Sequence, residues 1–571
     1  MNASVDEIAQ STGRPERAGM MRRSLRWLFR RRLCFGGLVG ALVFFCLSLS
    51  PSLLPRGVLL QGVLSGITTA IGYGLGSGAS AIVRKVRSTE PKTTTKRIGW
   101  RALLVATVVL VPLVLVLGRA VQNDVRKLMG MESLAAWDWA VILILGAVLA
   151  LVVLFVARVV RGVARLLVRL IDRFMPRRIS VVVGVVLTIV IVVGLVQGFL
   201  LDPALDGLNA AYSVVNTGTT EGVSQPKQAE RSGSPASLVP WDSLGVQGRD
   251  FTGLGAKVGP TRAQLADFNG APAEEPIRVY VGLESADSVH ARVELALEEL
   301  DRTHAWSRKA IGIFTTTGTG WVDERAASPV EYMYNGDSAL VGLQYSYLPS
   351  WISFLVDVDK AADAGQEMIH AVEQRLHSMP AATRPKLLLF GESLGSFGTE
   401  AAFDDVDQML ADVDGALLVG PVFRNHIHNA VTDDRDEGSP FWRPVYRKGA
   451  HVRAAVAPSD LEKPATEWNT PRVVYLQNSS DPITYWNLKL IWQRPEWLDD
   501  PRGPDVSSHM FWAPVVTFWG TLGDMVFSTA VPPGHGHDYG ANPVDAWASI
   551  IRPPGWNADK TKQLRAIVKD K

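Results

Sequence analysis

KLLLFGESLGSFG, residues 386–398, is the stretch that decides the fold of this chain. It opens with the apolar run Leu387–Phe390, which predicts a short buried strand. It then turns through Gly391-Glu392-Ser393-Leu394-Gly395 into a segment that predicts a helix. A strand that ends at G-x-S-x-G and starts a helix is the sequence form of a nucleophile elbow, which holds a serine hydroxyl at the carboxyl edge of a sheet.

A bare G-x-S-x-G arises by chance in roughly a quarter of chains of this length, so the motif needs supporting context. Here a predicted strand precedes it, a predicted helix follows it, and candidate acid and histidine residues come later in the chain. We therefore interpret Ser393 as a nucleophile and not as an ordinary turn residue.

The region around this motif, about residues 276–571, alternates predicted strands and helices. Such alternation predicts an α/β domain with a mostly parallel sheet covered on both faces, and the elbow is placed in it as in the α/β-hydrolase fold. The predicted strands are 277–283, 310–314, 339–347, 387–391, 415–419 and 472–476.

The first 201 residues contain long apolar runs separated by short basic loops. After a basic segment at 1–32, the region 33–201 predicts an α-helical membrane domain of about five transmembrane helices. The second run is rich in glycine, and a re-entrant hairpin is its alternative. No span has a charged residue at its centre, which favours an anchor over a transporter. The predicted spans are 33–49, 57–83, 100–118, 138–157 and 181–201.

Basic residues cluster in the N-terminal segment and in the loops 84–101 and 158–180, although the net charge of the chain is only +2. The positive-inside rule places these loops in the cytoplasm, so five spans put everything after Leu201 outside. We predict a multi-pass protein of the cell membrane with an extracytoplasmic catalytic domain. The same clustering fits membrane topology better than nucleic-acid binding, so no nucleic-acid partner is expected.

Between the two regions, residues 202–275 predict a linker and a packing segment, because they are rich in Gly, Ser, Pro and Thr. Trp241, Leu244 and Phe251 indicate that the later part packs on the following domain. Ser243 stands in D-S-L-G, which lacks the leading glycine and the strand, so we interpret it as a turn residue.

Asp481 follows the last predicted strand, in the turn N-S-S-D-P. A carboxylate after a late strand is where a hydrolase keeps the acid that orients its histidine. The alternative is an ordinary Asp-Pro turn.

Two histidines, His535 and His537, lie on the loop PPGHGHDYG at 532–540. A catalytic histidine belongs on such a loop, and we favour His537, whose Gly-His-Asp-aromatic surroundings resemble those of many esterases. His535 is the alternative base. A metal pair is disfavoured because no further ligands have suitable spacing, and we predict neither a metal nor a cofactor.

The turn TTTGTGW, residues 315–321, follows the strand 310–314. A glycine-containing turn at this place can supply one backbone N–H of an oxyanion hole, here from Thr316 or Thr317. The other N–H would come from Leu394. No Lys-Ser/Thr pair follows, which argues against a phosphate-binding loop.

An aromatic-rich insertion separates Asp481 from the histidines, and it predicts either a lid or pocket wall, or simple core packing. Its aromatic residues include Trp486, Trp492, Trp497, Trp512, Phe518 and Trp519.

Several motifs together carry a resemblance to a known family: TTTGTGWVD (315–323), FGESLGSFG (390–398), QNSSDPI (477–483), PPGHGHDYG (532–540) and, in the membrane region, SLSPSLLPRG (48–57). The chain resembles a family of actinobacterial membrane proteins with an α/β-hydrolase catalytic domain. The resemblance implies a Ser-His-Asp hydrolase on a multi-span anchor and names no substrate.

The leading hypothesis from the sequence is a membrane-anchored serine hydrolase that cleaves a carboxylic ester of a lipid or envelope component. Ser393 would attack, His537 or His535 would act as general base and then acid, and Asp481 would orient the histidine. The expected partners are the lipid bilayer and a lipidic or acyl-ester substrate. The alternatives are an acyltransferase with the same residues and a non-catalytic membrane scaffold or transport-associated protein.

Overall fold

The computed structural model describes residues 33–86, 92–135 and 138–569, which divide into two compact units. The first unit lies within Met1–Leu49, Val58–Val116 and Ala136–Leu201. The second comprises Ser50–Gly57, Leu117–Ala135 and Asp202–Lys571. Two short segments that connect apolar helices therefore belong with the sheet-containing unit.

Apolar helices form the first unit. They are α1 (Phe35–Ser48), α2 (Val58–Val86), α3 (Thr93–Leu128), α4 (Asp138–Ile171) and α5 (Arg177–Val196). The end of α3, from Leu117, belongs to the second unit. So does α6 (Asp202–Asn216), into which α5 continues through a π-turn. Four helices in the described residues are long and apolar enough to cross a membrane: Val58–Val86, Thr93–Leu128, Asp138–Ile171 and Arg177–Asn216.

The first predicted span, 33–49, corresponds to α1, which has 14 residues and is shorter than a typical span. The predicted basic segment 1–32 lies outside the described residues. The second run is the continuous helix α2, so the alternative of a re-entrant hairpin is wrong. Its glycines allow close packing: a Cβ at Gly72 would lie 2.4 Å from the carbonyl oxygen of Gly40 on α1.

A seven-stranded, all-parallel sheet forms the centre of the second unit, in the order β1-β3-β2-β4-β5-β7-β6. The strand β4 that leads to Ser393 lies in the middle of this order. The strands are β1 (Ile277–Val281), β2 (Ala310–Thr315), β3 (Ser338–Leu343), β4 (Lys386–Glu392), β5 (Gly415–Val419), β6 (Val452–Ala455) and β7 (Arg472–Leu476).

Almost every strand residue is buried, as a parallel sheet covered on both faces requires. The predicted α/β domain with a mostly parallel sheet is therefore confirmed. The sequence missed β6, whose four residues Val-Arg-Ala-Ala contain no apolar run long enough to indicate a strand. It pairs only with β7, at the edge of the sheet.

The second unit contains a further set of helices besides α6. They are α7 (Gly245–Thr252), α8 (Arg262–Asn269), α9 (Val289–Arg302), α10 (Glu324–Met333), α11 (Ser350–Val356), α12 (Val358–His377), α13 (Leu394–Glu400), α14 (Val406–Asp412), α15 (His426–Asp433), α16 (Pro482–Tyr485), α17 (Val516–Met525), α18 (Asn542–Ile551) and α19 (Ala558–Val568).

The segment before β1 packs on the sheet domain and is not only a linker. Leu244 and Phe251 are buried in its hydrophobic core. Arg231 is buried beside β1 and donates to the carbonyl of Pro260 at 3.0 Å. The neighbouring Arg278 on β1 is paired with two glutamates of α10, which satisfies its buried charge.

Candidate active site

Ser393 occupies a sharp turn between β4 and α13, with φ 55° and ψ −121°. This backbone conformation is rare for a residue with a side chain and marks stored strain. The flanking glycines explain how the turn closes: a Cβ at Gly391 would lie 2.4 Å from the Gly395 carbonyl oxygen, and one at Gly395 would lie 2.2 Å from that of Thr315. Only glycine at both positions allows this strand-to-helix turn.

Asp481 lies directly after β7 and caps the short helix α16, since its Oδ1 accepts from the Ile483 amide at 2.9 Å. Its Oδ2 is 2.6 Å from His537 Nδ1 and accepts from the Tyr539 hydroxyl at 2.7 Å. The carboxylate is completely buried. These contacts fix its orientation toward one histidine.

His537 is the histidine that meets Asp481. An Nδ1–H donated to Asp481 leaves Nε2 as the proton acceptor. Nε2 is buried and has no hydrogen-bond partner among the described residues. Burial opposes the charged form, but the negative charge of Asp481 and the hydrogen bond to it outweigh burial and raise the pKa of His537.

The imidazole of His537 lies over the turn that follows β5, where a Cβ at Gly420 would be 2.4 Å from its Cε1. Ser393 is next to this turn, because its amide donates to the Val419 carbonyl at 2.9 Å. Ser393 and His537 line one cavity of about 410 Å³, without a hydrogen bond between them. Catalytic hydrogen bonds are often long before substrate binds and tighten in the complex.

His535, the alternative base, is directed elsewhere. Its Nδ1 is 2.9 Å from Asp505 Oδ2, and Asp505 also accepts from the hydroxyls of Ser479 and Ser480. Ser480 Oγ in turn accepts from the Gly536 amide at 2.9 Å. Asp505 thus ties the turn of Asp481 to the histidine loop. It lies in the insertion, and no local sequence pattern indicated it.

Of the three expected oxyanion donors, the Thr317 amide already donates to the Trp321 carbonyl at 3.1 Å, inside its own turn. Thr316 is beside the elbow: a Cβ at Gly395 would lie 3.2 Å from its carbonyl oxygen. Leu394 is the first residue of α13, and an N–H at this position has no partner within a helix. The geometry therefore leaves Leu394 and the Thr316 region as the better candidates.

A charged part of the cavity wall, formed by Arg325, Glu392 and Asp538 with Asp323 behind Arg325, was missed in the sequence. Arg325 Nε lies 3.1 Å from Asp323 Oδ1, and its Nη1 donates to Asp538 at 2.9 Å. Glu392 is buried next to Ser393, and its Oε2 has no partner among the described residues. Burial and the nearby Asp323 raise the pKa of Glu392 to about 8. Glu392 stands at the second position of the G-x-S-x-G motif, and that position was the sequence signal that could have indicated it.

The remaining cavity wall is largely apolar and comes from α11, α16 and the end of α17. It includes Phe354, Ile483, Met525 and Val526. The tryptophans of the insertion do not line the cavity. Trp486 and Trp497 are buried in the core, and the ring of Trp486 packs at a tilt against that of Phe518, with 5.3 Å between the ring centroids. For Trp486, Trp497 and Phe518, core packing is the correct alternative, whereas Trp492 is 63% exposed.

Across residues 33–86, 92–135 and 138–569, no group of three or more His, Cys, Asp or Glu side chains is placed to hold a metal ion.

Comparison with known families gives two matches. The sequence model of an alpha/beta-hydrolase family matches residues 277–564, half of the chain, and the model of an alpha/beta-hydrolase family N-terminus matches residues 49–255. No curated protein and no solved structure matches.

Proposed function

Because the chain belongs to the alpha/beta-hydrolase family, we propose that it is a membrane-anchored serine hydrolase that cleaves a carboxylic ester. The observation that carries this proposal is the single cavity lined by Ser393 and His537, with His537 Nδ1 held 2.6 Å from Asp481. A nucleophile, a base and an orienting acid from three distant loops converge there.

In the proposed reaction, the Ser393 oxygen attacks the ester carbonyl while its proton passes to His537 Nε2. Asp481 stabilises the imidazolium, and backbone amides near Leu394 and Thr316 hold the oxyanion. The C–O bond to the alcohol breaks as His537 returns the proton to the leaving oxygen. Water then attacks the acyl-enzyme, again losing a proton to His537, and the acid leaves with Ser393 restored.

The proposed substrate is a lipid or envelope ester. The apolar wall formed by Phe354, Ile483, Met525 and Val526 suits an acyl chain beside the reacting carbonyl. Four apolar helices of membrane-spanning length support a multi-pass anchor that would keep such an enzyme near lipid substrates.

We place the sheet domain outside the cytoplasm. The segments Ser50–Gly57 and Leu117–Ala135 belong to the same compact unit as the sheet. Positive-inside counting places these same two segments outside and the basic loops 84–101 and 158–180 inside. A shared compact unit requires them to be on one side of the bilayer.

The full-length protein in detergent tests the reaction on p-nitrophenyl butyrate. Wild type should hydrolyse it, and Ser393→Ala should lower kcat by about 10⁴-fold or more. Ser243→Ala is the matched control, because Ser243 bonds Ser285 at 2.9 Å in a turn away from the cavity. Hydrolysis that persists in Ser393→Ala would contradict the proposal, and product analysis with an added alcohol would reveal acyl transfer.

A further inference from the structure

The segment Ser50–Gly57, which we call the brace, connects α1 to α2 and contains the sequence SPSLLPRG. The proposed reaction assigns it no role. Yet it belongs to the compact unit that contains the sheet, and Leu53 is fully buried in the hydrophobic core of that unit. Its other contacts lead to the loop that carries His537.

Leu54 of the brace packs against the histidine loop. It is buried in one cluster with Val125, Met129 and Val531, and Val531 begins the approach to the two histidines. A Cβ at Gly536, the residue before His537, would lie 3.2 Å from Leu54 Cδ2. The Leu54 side chain therefore packs against the backbone immediately before His537.

Arg56 of the brace holds the helix that forms part of the cavity wall. Its Nε donates to Asp524 Oδ1 on α17 at 2.9 Å, and the Leu54 amide donates to Asp524 Oδ2 at 3.3 Å. A Cβ at Gly520, one turn earlier on α17, would lie 2.4 Å from Arg56 Nη2. Both charged side chains are buried, so the helix cannot move away without exposing or separating them.

The contacts of Leu54 and Arg56 both reach the part of the chain that leads from α17 to His537. Met525 and Val526, directly after Asp524, line the cavity, and the Ser528 carbonyl accepts from the His537 amide at 2.8 Å. The Arg56 amide also donates to Gln122 Oε1 at 3.1 Å, which joins the brace to the segment Leu117–Ala135. The brace thus supports α17, the turn that follows it and the histidine loop together.

We propose that Leu54 and Arg56 are positioning residues for the proposed esterase, through which the chain between two apolar helices sets the placement of His537 and the cavity wall. This inference rests on the proposed function. It gives the N-terminal part of the chain a role in the reaction besides membrane attachment.

The test compares kcat, KM and the acid limb of the pH profile for p-nitrophenyl butyrate in full-length Leu54→Ala and Arg56→Gln. Each variant should lose about tenfold to hundredfold in kcat, the effect of an approximately 1 Å displacement of a catalytic group, with KM within about threefold. The acid limb should move to lower pH, because a displaced His537 loses contact with the carboxylate that raises its pKa. Arg56→Lys keeps the charge and should exceed Arg56→Gln in kcat.

Matched controls are Leu59→Ala, at a leucine on α2 that is mostly exposed, and Arg435→Gln, at an arginine whose partner Glu496 is exposed. Both should stay within about twofold of wild type, as surface substitutions usually do. If Arg56→Gln does not accumulate, Leu54→Ala decides the test, since it leaves no buried charge unpaired.

Loss of kcat with a shifted acid limb in Leu54→Ala would support the inference. Wild-type kcat and an unchanged acid limb in Leu54→Ala would overturn it, provided that the activity of the preparation depends on Ser393. Absence of any Ser393-dependent turnover in wild type would instead overturn the proposed function, and the inference with it.

Discussion

Asp481 and Asp505 divide the two histidines of the loop 532–540 between them. Asp481 meets His537 at 2.6 Å, and Asp505 meets His535 at 2.9 Å. Only His537 lines the cavity that holds Ser393. The adjacent acid–imidazole pairs therefore have different expected roles, the first in proton transfer and the second in holding the loop.

Substituting each histidine separates these roles. His537→Ala should lower kcat for a p-nitrophenyl ester by about 10⁴-fold, because the general base is lost. His535→Ala should lower it by less than about tenfold, because Asp505 keeps its bonds to Ser479 and Ser480. Equal losses in the two variants, measured on folded protein, would contradict this assignment.

In the proposed reaction, Glu392 should affect the pH dependence through its charge. Its pKa is raised to about 8, and its negative charge is one of the contributions that raise the pKa of His537. The base must be neutral to accept the serine proton, so activity falls as pH drops through the pKa of His537. A carboxyl with a pKa of about 8 is mostly protonated below that pH, so Glu392→Gln removes only part of a charge there, and the midpoint of the acid limb of kcat/KM should move slightly to lower pH.

The control for this profile is Glu373→Gln, since burial raises the pKa of Glu373 to about 7 but this residue does not line the cavity. Its profile should match wild type. An acid limb that moves to higher pH in Glu392→Gln would show that the glutamate does not favour the imidazolium.

Sequence reasoning could select Ser393, Asp481 and His537 as candidates because each lies in a short motif whose turn chemistry is local. It missed Arg325 and Asp505 because their roles depend on contacts with Asp538 and His535, made far along the chain. It also offered Thr316 or Thr317 as an amide donor, and the Thr317 amide is already bonded to the Trp321 carbonyl within the turn. Whether an amide is used up inside its own turn depends on how the turn closes, and residue types alone do not determine this.

At the scale of elements, the turn between β4 and α13 has no room for a side chain at either of its two glycines. Gly395→Ala would place a methyl group 2.2 Å from the Thr315 carbonyl oxygen, a backbone atom that cannot rotate away. We expect the variant to lose about 2 kcal/mol or more of unfolding free energy and about 100-fold in kcat. Thermal unfolding and ester hydrolysis measure the two effects.

The matched control is Gly207→Ala on α6, where no heavy atom lies within 4 Å of the added Cβ. It should unfold at or slightly above the wild-type temperature, because alanine favours a helix over glycine. A Gly395→Ala protein with wild-type activity would contradict the account of the elbow.

The order of strands and helices was predictable at this scale because long buried runs and alternation are strong signals. The edge strand β6 was not, since it is held by pairing with β7 and not by its own composition. The role of the brace was equally hidden, because SPSLLPRG contains nothing that points to a helix some 470 residues later.

At the scale of the whole molecule, cysteine labelling can test the proposed membrane topology. In a background with Cys34→Ser and Cys46→Ser, single cysteines at Lys127 and Lys309 should react with a membrane-impermeant maleimide on intact cells. Both side chains are 72% exposed, and both belong to the second unit. Lys92→Cys, in a basic loop, should react only after permeabilisation.

Reaction of Lys92→Cys on intact cells, with protection of the other two sites, would reverse the proposed orientation. Reaction of Lys127→Cys and Lys309→Cys from opposite sides would contradict the compact unit that contains them.

We propose above all that a strained serine, an imidazole and a carboxylate from separate loops form one proton-transfer line on a membrane protein. The most direct measurement is covalent labelling of the full-length protein by a fluorophosphonate, followed by mass spectrometry of the labelled peptide. The account predicts a single adduct on Ser393, greatly slowed in His537→Ala and little changed in His535→Ala. No adduct on Ser393 in folded wild-type protein, or labelling as fast in His537→Ala, would contradict it.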